Sequence, residues 1–265
     1  RIAAENPQLS GDDIALAAIA GMLRATPDCH TYYIDGGRRV DSRPVQETGV
    51  SDPAPPQGRE IWPRDEAGLS ARIIEGGVAY IRFLEFRITG TYDIREKVRA
   101  VLERALAEGA TAWLFDLRGN VGGNGPELIA SYFLNGEELM EVHLRNGFGG
   151  VKRAIPELRL PEQYQLPIAV VLNDRGGSGP EVFGLFLKEA GRATIVGGRT
   201  IGCLGATSPT RMPDGSTISV TVQEFVGAVT QTKYNNAGIE PDIEADDASA
   251  VEVARQHLLS ELAAR

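Results

Sequence analysis

A serine flanked by glycines follows a short apolar run in the second half of the chain. The motif reads Gly176-Gly177-Ser178-Gly179-Pro180-Glu181, and it comes after the buried strand expected at 168–172. A serine at a strand-to-helix turn can point its hydroxyl out of the sheet, beside the unpaired N–H groups of the first helical turn. Such donors can stabilise a tetrahedral oxyanion. Alternatively, Ser178 is a plain helix N-cap, with Pro180 and Glu181 in the first turn.

A second glycine-rich turn follows another apolar run. It reads Asp116-Leu117-Arg118-Gly119-Asn120-Val121-Gly122-Gly123. Glycines placed directly after a buried strand let the backbone turn its N–H groups toward a ligand, as anion-binding nests do. No Gly-Lys-Ser/Thr follows, so the turn is not a phosphate-binding loop. The competing interpretation is an ordinary turn that joins a strand to a helix.

One of the three histidines lies where it could act as a general base. His30 stands in a loop, in the run Asp28-Cys29-His30-Thr31, whereas His143 falls in an expected strand and His257 on the last helix. A loop histidine beside an aspartate can take up a proton near neutral pH, although many such residues have no catalytic role. Since no Cys-x-x-Cys or His-x-x-x-His spacing occurs, we expect neither a metal site nor a cofactor.

Composition excludes several classes of partner. The 265 residues are 42% hydrophobic and 24% charged, with a formal net charge of −9. The negative charge argues against nucleic acid and anionic membranes as partners. No apolar run approaches the roughly 18 residues that a membrane-spanning helix needs.

The elements that must position these residues alternate between helices and strands. Apolar spacing predicts helices near 12–24, 91–108, 126–134, 178–190 and 249–264, and short buried strands before both glycine-rich turns. This alternation predicts an α/β fold with its site at the carboxyl ends of neighbouring strands. We divide the chain into a helical segment (1–35), an irregular linker or cap rich in Gly and Pro (36–70) and a core (71–265).

Taken in order, the motifs resemble the core of the C-terminal processing (tail-specific) serine proteases. Both glycine-rich runs contribute, as do 78–83, 191–200 and the late Gly238-Ile239-Glu240-Pro241-Asp242-Ile243, over about 71–244. The resemblance implies a core of repeated ββα units similar to the ClpP and crotonase folds. It also implies Ser178 as nucleophile, with an oxyanion hole from the N–H of Gly179 and one from the Gly122-Gly123 turn. The expected substrate is exposed or unstructured polypeptide, and a homo-oligomer is compatible with the sequence.

The chain departs from this family at the general base. Many members place a lysine where this sequence has Cys203, and a glutamine where it has Thr207. The branch similar to the tricorn-type core lacks that lysine and uses a histidine before the core, a position that His30 fits. A glutamate that supports the site in that branch is Asn235 here, and Asp28 and Glu181 are the possible replacements. These departures leave open a catalytically weak or inactive pseudopeptidase that binds peptides or apolar ligands.

The resemblance also makes the two cysteines informative. If His30 and the Cys203 turn both face Ser178, Cys29 and Cys203 lie near one another, and we predict Cα atoms less than about 7 Å apart. A bridge would suit an extracytoplasmic, periplasmic or secreted setting. Because the sequence starts at Arg1, we expect a processed chain without its signal segment. The peptide-binding domain usual in this family does not fit between the helical segment and the core.

Overall fold

The computed structural model describes residues 8, 10–43 and 53–265, and it has the predicted α/β architecture. Residues 1–7, 9 and 44–52, which belong to the expected helical and linker segments, lie outside the described residues. The α-helices are α1 (Gly11–Arg24), α2 (Ile94–Ala107), α3 (Pro126–Ala130), α4 (Gly179–Glu189) and α5 (Ala250–Ala263). The first eight strands are β1 (Tyr32–Asp35), β2 (Arg38–Asp41), β3 (Arg59–Trp62), β4 (Ser70–Ile74), β5 (Val78–Arg82), β6 (Ala112–Asp116), β7 (Glu138–Leu144) and β8 (Gly147–Arg153). The others are β9 (Ile168–Leu172), β10 (Thr194–Gly197), β11 (Gly205–Thr207), β12 (Thr210–Arg211), β13 (Thr217–Ser219), β14 (Thr221–Gly227) and β15 (Ile243–Glu244).

A seven-stranded sheet forms the centre of the protein, in the order β15-β10-β9-β6-β5-β4-β3. Strands β15, β10, β9, β6 and β5 run parallel to one another. Strand β4 pairs antiparallel with β5, and β3 pairs antiparallel with β4. Every residue of β5, β6 and β9 is buried. Such strands need cover on both faces, which explains their continuous apolar runs.

Helices cover the two faces of this sheet unequally. Side chains of α2 and α4 pack on one face, against residues such as Ile81 and Phe115. The alternate residues Tyr80 and Leu114 point to the other face, where they meet α5. This arrangement leaves the carboxyl ends of β6 and β9 free to carry the two glycine-rich turns.

Two smaller sheets surround the core, in the orders β12-β13-β1-β2 and β11-β14-β7-β8. The first joins the amino-terminal segment to the core, because β1 pairs with β13 and places Tyr32 opposite Ser219. The same antiparallel pairing continues from β1 to β2. The chain that directly follows His30 is therefore attached to the core by a sheet.

The stretch at 36–70 contains more regular structure than its composition indicates. Strand β2 falls inside it, and β3 pairs with β4 at the edge of the central sheet. Its glycines and prolines predict irregular backbone, but an available sheet edge stabilises a short strand whatever the neighbouring composition.

Two helices begin with side-chain caps, and one helix ends earlier than predicted. Ser10 and Asp13 form a reciprocal capping box at the start of α1, and Asp93 caps α2. The helix predicted over 126–134 instead stops at Ala130 and continues as a tight 3-10 turn, Ser131–Phe133. There the Ser131 hydroxyl donates back to the Glu127 carbonyl oxygen, a competing bond of the kind that distorts helices.

Candidate active site

Ser178 occupies a strained turn between a buried strand and the start of a helix. Its φ of 68° and ψ of −106° lie in a region that non-glycine residues rarely adopt. A methyl group on the preceding Gly177 would lie 2.8 Å from the Ile201 side chain and 3.1 Å from Cys203 Sγ. Glycine is therefore required at 177, and the neighbouring chain holds Ser178 in its strained conformation. Strain at a serine between strand and helix is typical of nucleophile turns.

The carboxylate of Glu181 ties this turn to the chain at 200–203. It accepts hydrogen bonds from the N–H groups of Ser178 (2.9 Å), Gly202 (2.7 Å) and Cys203 (2.8 Å), and from the Thr200 hydroxyl. Burial raises the pKa of the Glu181 carboxyl, although the four donors oppose that shift. None of these partners is His30. Glu181 therefore acts as a clamp, meaning that its carboxylate bonds the Ser178 turn to the chain at 200–203.

The second glycine-rich turn packs directly against Ser178. A methyl group on Gly122 would lie 3.0 Å from Ser178 Cβ and 3.2 Å from the Gly179 nitrogen. On Gly123 it would lie 2.1 Å from the Phe86 carbonyl oxygen. Both glycines also have positive φ values, 91° and 125°. Only glycine fits this close approach between two backbones.

The N–H groups of this pair of turns are not equally available. Gly122 donates to the Asn120 side chain at 2.8 Å, and Asn120 in turn donates to the Phe83 carbonyl oxygen at 2.9 Å. No acceptor for the N–H of Gly123 or Gly179 is found among the residues that the structure describes. Of the three glycines expected to line an oxyanion hole, Gly122 already donates its N–H to Asn120. The N–H groups of Gly123 and Gly179 remain free to bind an oxyanion within the described part of the chain.

A disulfide brings the His30 segment to the Ser178 turn. Cys29 and Cys203 are bonded, with Cα atoms 5.7 Å apart, which confirms the predicted proximity. Since Cys203 also contacts Gly177, His30 follows a residue that is covalently attached beside the nucleophile. No hydrogen bond joins the Ser178 hydroxyl to the imidazole in this structure. Catalytic hydrogen bonds are often long before substrate binds.

The His30 imidazole is largely shielded from solvent. Burial lowers its pKa below the ordinary histidine value, while the Asp28 carboxylate and the backbone of Gly205 oppose the shift. Its Nδ1 is buried and has no hydrogen-bond partner. A histidine held neutral in this way is ready to accept a proton near neutral pH.

Asp28 and Asn235 form a hydrogen-bonded pair, and Asp28 also bonds the backbone of His30. Asp28 accepts from the His30 N–H at 2.9 Å, the Thr221 hydroxyl at 2.6 Å and the Asn235 amide nitrogen at 3.0 Å. Burial alone would raise the pKa of Asp28, but these donors outweigh it and the pKa lies below its usual value. Asn235 Oδ1, like His30 Nδ1, is buried without a partner.

The other basic side chains are engaged elsewhere. Lys233 donates to Glu224 at 2.8 Å in an exposed ion pair, and Lys188 pairs with Asp242. His143 contacts Glu141, and His257 lies 2.9 Å from the Thr194 hydroxyl. Within residues 10–43 and 53–265, no group of three His, Cys, Asp or Glu side chains could hold a metal ion. No described helix is long and apolar enough to cross a membrane.

The sequence motifs did not indicate the roles of Asn120, Asp247 and Glu181. Asn120 lies inside a glycine-rich run, and an Asn two residues before Gly122 is a signal for a side chain that caps the turn. Asp247 has no distinguishing pattern, because it is an Asp in an exposed loop before a helix. The clamp function of Glu181 depends on a loop about twenty residues away.

Comparison with known proteins agrees with the geometry. The profile of Peptidase family S41 matches residues 77–245, more than half of the chain. The carboxy-terminal processing protease CtpA of Bacillus subtilis is 25% identical over 175 residues, 65% of this chain and 36% of that protein. The chloroplastic carboxyl-terminal-processing peptidase 1 of Arabidopsis thaliana is 29% identical over 168 residues, 62% of this chain and 33% of that protein.

Among solved structures, a putative peptidase from Parabacteroides merdae superposes with a TM-score of 0.71 at 17% identity. That match covers 95% of this chain and 84% of the other, and it supports the fold alone. The chain spans about a third of the length of the two curated relatives described above. The family match, with the Ser178 turn and the paired glycine-rich turn both inside it, shows that the chain belongs to peptidase family S41.

Proposed function

We propose that this chain is the catalytic core of a serine endopeptidase that hydrolyses exposed or unstructured polypeptides, with Ser178 as nucleophile and His30 as general base. The observation that carries the proposal is the convergence at one strained serine of two free backbone N–H donors and a disulfide-anchored histidine segment. Family membership and relatives named as carboxy-terminal processing proteases support the same reaction class.

In the proposed reaction, Ser178 Oγ attacks the scissile carbonyl carbon while its proton passes to a His30 ring nitrogen. The tetrahedral oxyanion accepts hydrogen bonds from the N–H groups of Gly123 and Gly179. As the peptide C–N bond breaks, His30 returns the proton to the leaving amine. A water molecule, deprotonated by His30, then hydrolyses the acyl-enzyme ester and regenerates the Ser178 hydroxyl.

Asn235 and Asp28 would orient the base. The Asp28 carboxylate can only accept hydrogen bonds, so it fixes the Asn235 amide with its nitrogen toward Asp28. Asn235 Oδ1 is then left as a buried acceptor, and His30 Nδ1 is a buried ring nitrogen that needs a partner. Pairing these two atoms would select the tautomer whose Nε2 is free to take the Ser178 proton. An asparagine orients imidazolium without stabilising it by charge, and Asp28 supplies a negative charge nearby.

We place the protein outside the cytoplasm. The Cys29–Cys203 disulfide supports this location, because such bonds persist in oxidising compartments. A homo-oligomer remains a prediction from the sequence.

The proposal is tested by incubating the purified chain with a permanently unfolded polypeptide and a folded globular protein, followed by mass spectrometry of the products. We expect internal cleavage of the unfolded substrate and little of the folded one. A folded chain that cleaves neither substrate and does not react with a fluorophosphonate probe would contradict the proposal. Tight binding of an unfolded peptide or an apolar ligand without turnover would instead identify a pseudopeptidase.

Removing the disulfide should lower both stability and activity. The Cys29→Ser, Cys203→Ser double variant frees a loop of 174 residues, for which chain entropy predicts a loss of up to about 5 kcal/mol in free energy of unfolding. Urea unfolding measures that loss. We expect a fall of about tenfold in kcat/KM, since β1 and Asp28 still hold the His30 segment near the core. Unchanged activity would show that the bond is not needed to place His30.

A further inference from the structure

One carboxylate connects the two glycine-rich turns through an arginine of each turn. Asp247 lies in the loop between β15 and α5. Its carboxylate forms an ion pair with Arg175, which belongs to the Ser178 turn, and accepts from the Asn173 amide at 3.0 Å. Its carbonyl oxygen accepts from Arg118, which belongs to the other turn, and the Arg118 guanidinium lies 3.9 Å from the Asp247 carboxylate.

The Arg118 guanidinium is held within its own turn. It is only 5% exposed and donates two hydrogen bonds to the buried Asp116 carboxylate, at 2.9 and 2.8 Å. The backbone N–H of Arg175 donates to the Asn173 side chain at 3.1 Å, which fixes the backbone from which the Arg175 side chain extends. Displacement of the Arg118 guanidinium would therefore be transmitted to the backbone of its turn.

Asp247 supplies a negative charge that two cationic side chains share. Arg82 also pairs with Asp116, at 3.2 Å, so Asp116 already serves two guanidinium groups. The Asp247 carboxylate is the anion that Arg118 and Arg175 both approach. Its removal would weaken the link between these two arginines and so between their turns.

The distance between the two turns matters because each supplies one free N–H at the serine. The two turns also touch directly, and the Gly177 N–H donates to the Asn120 carbonyl oxygen at 3.3 Å. A methyl group on Gly176 would lie 3.1 Å from that same oxygen. Oxyanion donors act only within a narrow range of distance, so a shift of a few tenths of an ångström would weaken them.

We propose that Asp247 is a positioning residue that holds the two turns at the separation needed for the Gly123 and Gly179 N–H groups to bind the oxyanion together. The inference rests on the proposed peptidase function. Asp247 has no hydrogen bond to Ser178, and it acts through Arg118 and Arg175.

The positioning role and a direct electrostatic role predict opposite changes in the rate of the Asp247→Asn variant. A negative charge near the site disfavours a developing oxyanion, so a purely electrostatic effect would make Asp247→Asn faster. Loss of positioning makes the same variant slower. The asparagine keeps an oxygen that can accept from Asn173, so this substitution removes mainly the charge.

The experiment compares Asp247→Asn and Asp247→Ala with wild type on a peptide substrate and with a peptide boronate inhibitor. The boron atom forms a bond to Ser178 Oγ, and the resulting tetrahedral adduct places an oxygen in the oxyanion hole. We expect kcat to fall about 10-fold in Asp247→Asn and up to about 100-fold in Asp247→Ala, with KM changed less than about twofold. The boronate inhibition constant should rise by a similar factor, and Asp247→Glu should restore part of kcat.

Asp246→Asn is the matched control, because it removes an equal negative charge from the neighbouring residue. The Asp246 carboxylate accepts hydrogen bonds from the N–H and the hydroxyl of Ser249. We expect this variant to keep kcat within about twofold of wild type. A faster Asp247→Asn enzyme, a folded Asp247→Ala enzyme with normal kcat, or an equal loss in the control would overturn the inference. An inactive wild type would instead overturn the proposed function.

Discussion

Replacing Ser178 with alanine should lower kcat/KM on an unfolded polypeptide by at least about 10⁴-fold, because no acyl-enzyme can form without its hydroxyl. Labelling by a fluorophosphonate probe should disappear in the same variant. Both losses should occur without unfolding, since alanine removes a single oxygen from a partly buried position. The measurements are a peptide-release assay, in-gel fluorescence of the probe and thermal unfolding.

Ser208→Ala is the matched control for this prediction. It deletes the same hydroxyl from an exposed residue of the loop between β11 and β12, so labelling and hydrolysis should equal those of wild type. Persistent labelling of Ser178→Ala would mean that another nucleophile carries the reaction. The strained backbone at Ser178 would then need a different explanation.

Replacing His30 with glutamine should lower kcat/KM by about 10³-fold or more and remove the acid limb of its pH profile. Burial lowers the pKa of the His30 imidazole, and Asp28 is the charged group that opposes this shift. His30 must be neutral to accept the Ser178 proton, so activity is lost as pH falls through its pKa. In wild type the midpoint of this limb should therefore lie below about 6.5, the ordinary histidine value.

Two further variants separate this prediction from general disruption. His257→Gln removes an imidazole that bonds Thr194, and it should leave the pH profile unchanged. Asn235→Ala should lower kcat about tenfold, with a smaller effect on KM, because it loosens the base without removing it. If His30→Gln kept its activity and its acid limb, the search for the base would move to Lys233, despite its exposed pair with Glu224.

Much of the fold follows from local pattern. Continuous apolar runs predicted the buried parallel strands β6 and β9, and the glycines after each of them predicted the turns that carry the site. The same reasoning was wrong about β3, which lies in a stretch expected to be irregular. Four residues beside prolines give no periodic signal, and β3 exists because the edge of β4 is free to pair with it.

The residues of the site could be predicted from sequence motifs, but their hydrogen-bond partners could not. Sequence motifs indicated Ser178, Gly122, Gly123 and Gly179 together, and the structure brings all four together. The sequence did not show which glycine keeps a free N–H, because this depends on Asn120, whose side-chain oxygen accepts from the Gly122 N–H. Competition for a donor is settled by positions of a few tenths of an ångström, which no sequence pattern encodes.

The sequence by itself determined the local geometry of this protein: a serine at a helix start, glycines where two backbones approach, and a histidine preceded by a cysteine. Tertiary structure alone decided that the Glu181 carboxylate bonds the N–H of Cys203, that Asp247 bonds Asn173 beside the Ser178 turn, and that Asn235 bonds Asp28. The physical reason is the separation of the interacting groups along the chain. Backbone conformation depends on neighbours a few residues away, whereas these contacts join groups up to 207 residues apart, and only the packed sheet brings them together.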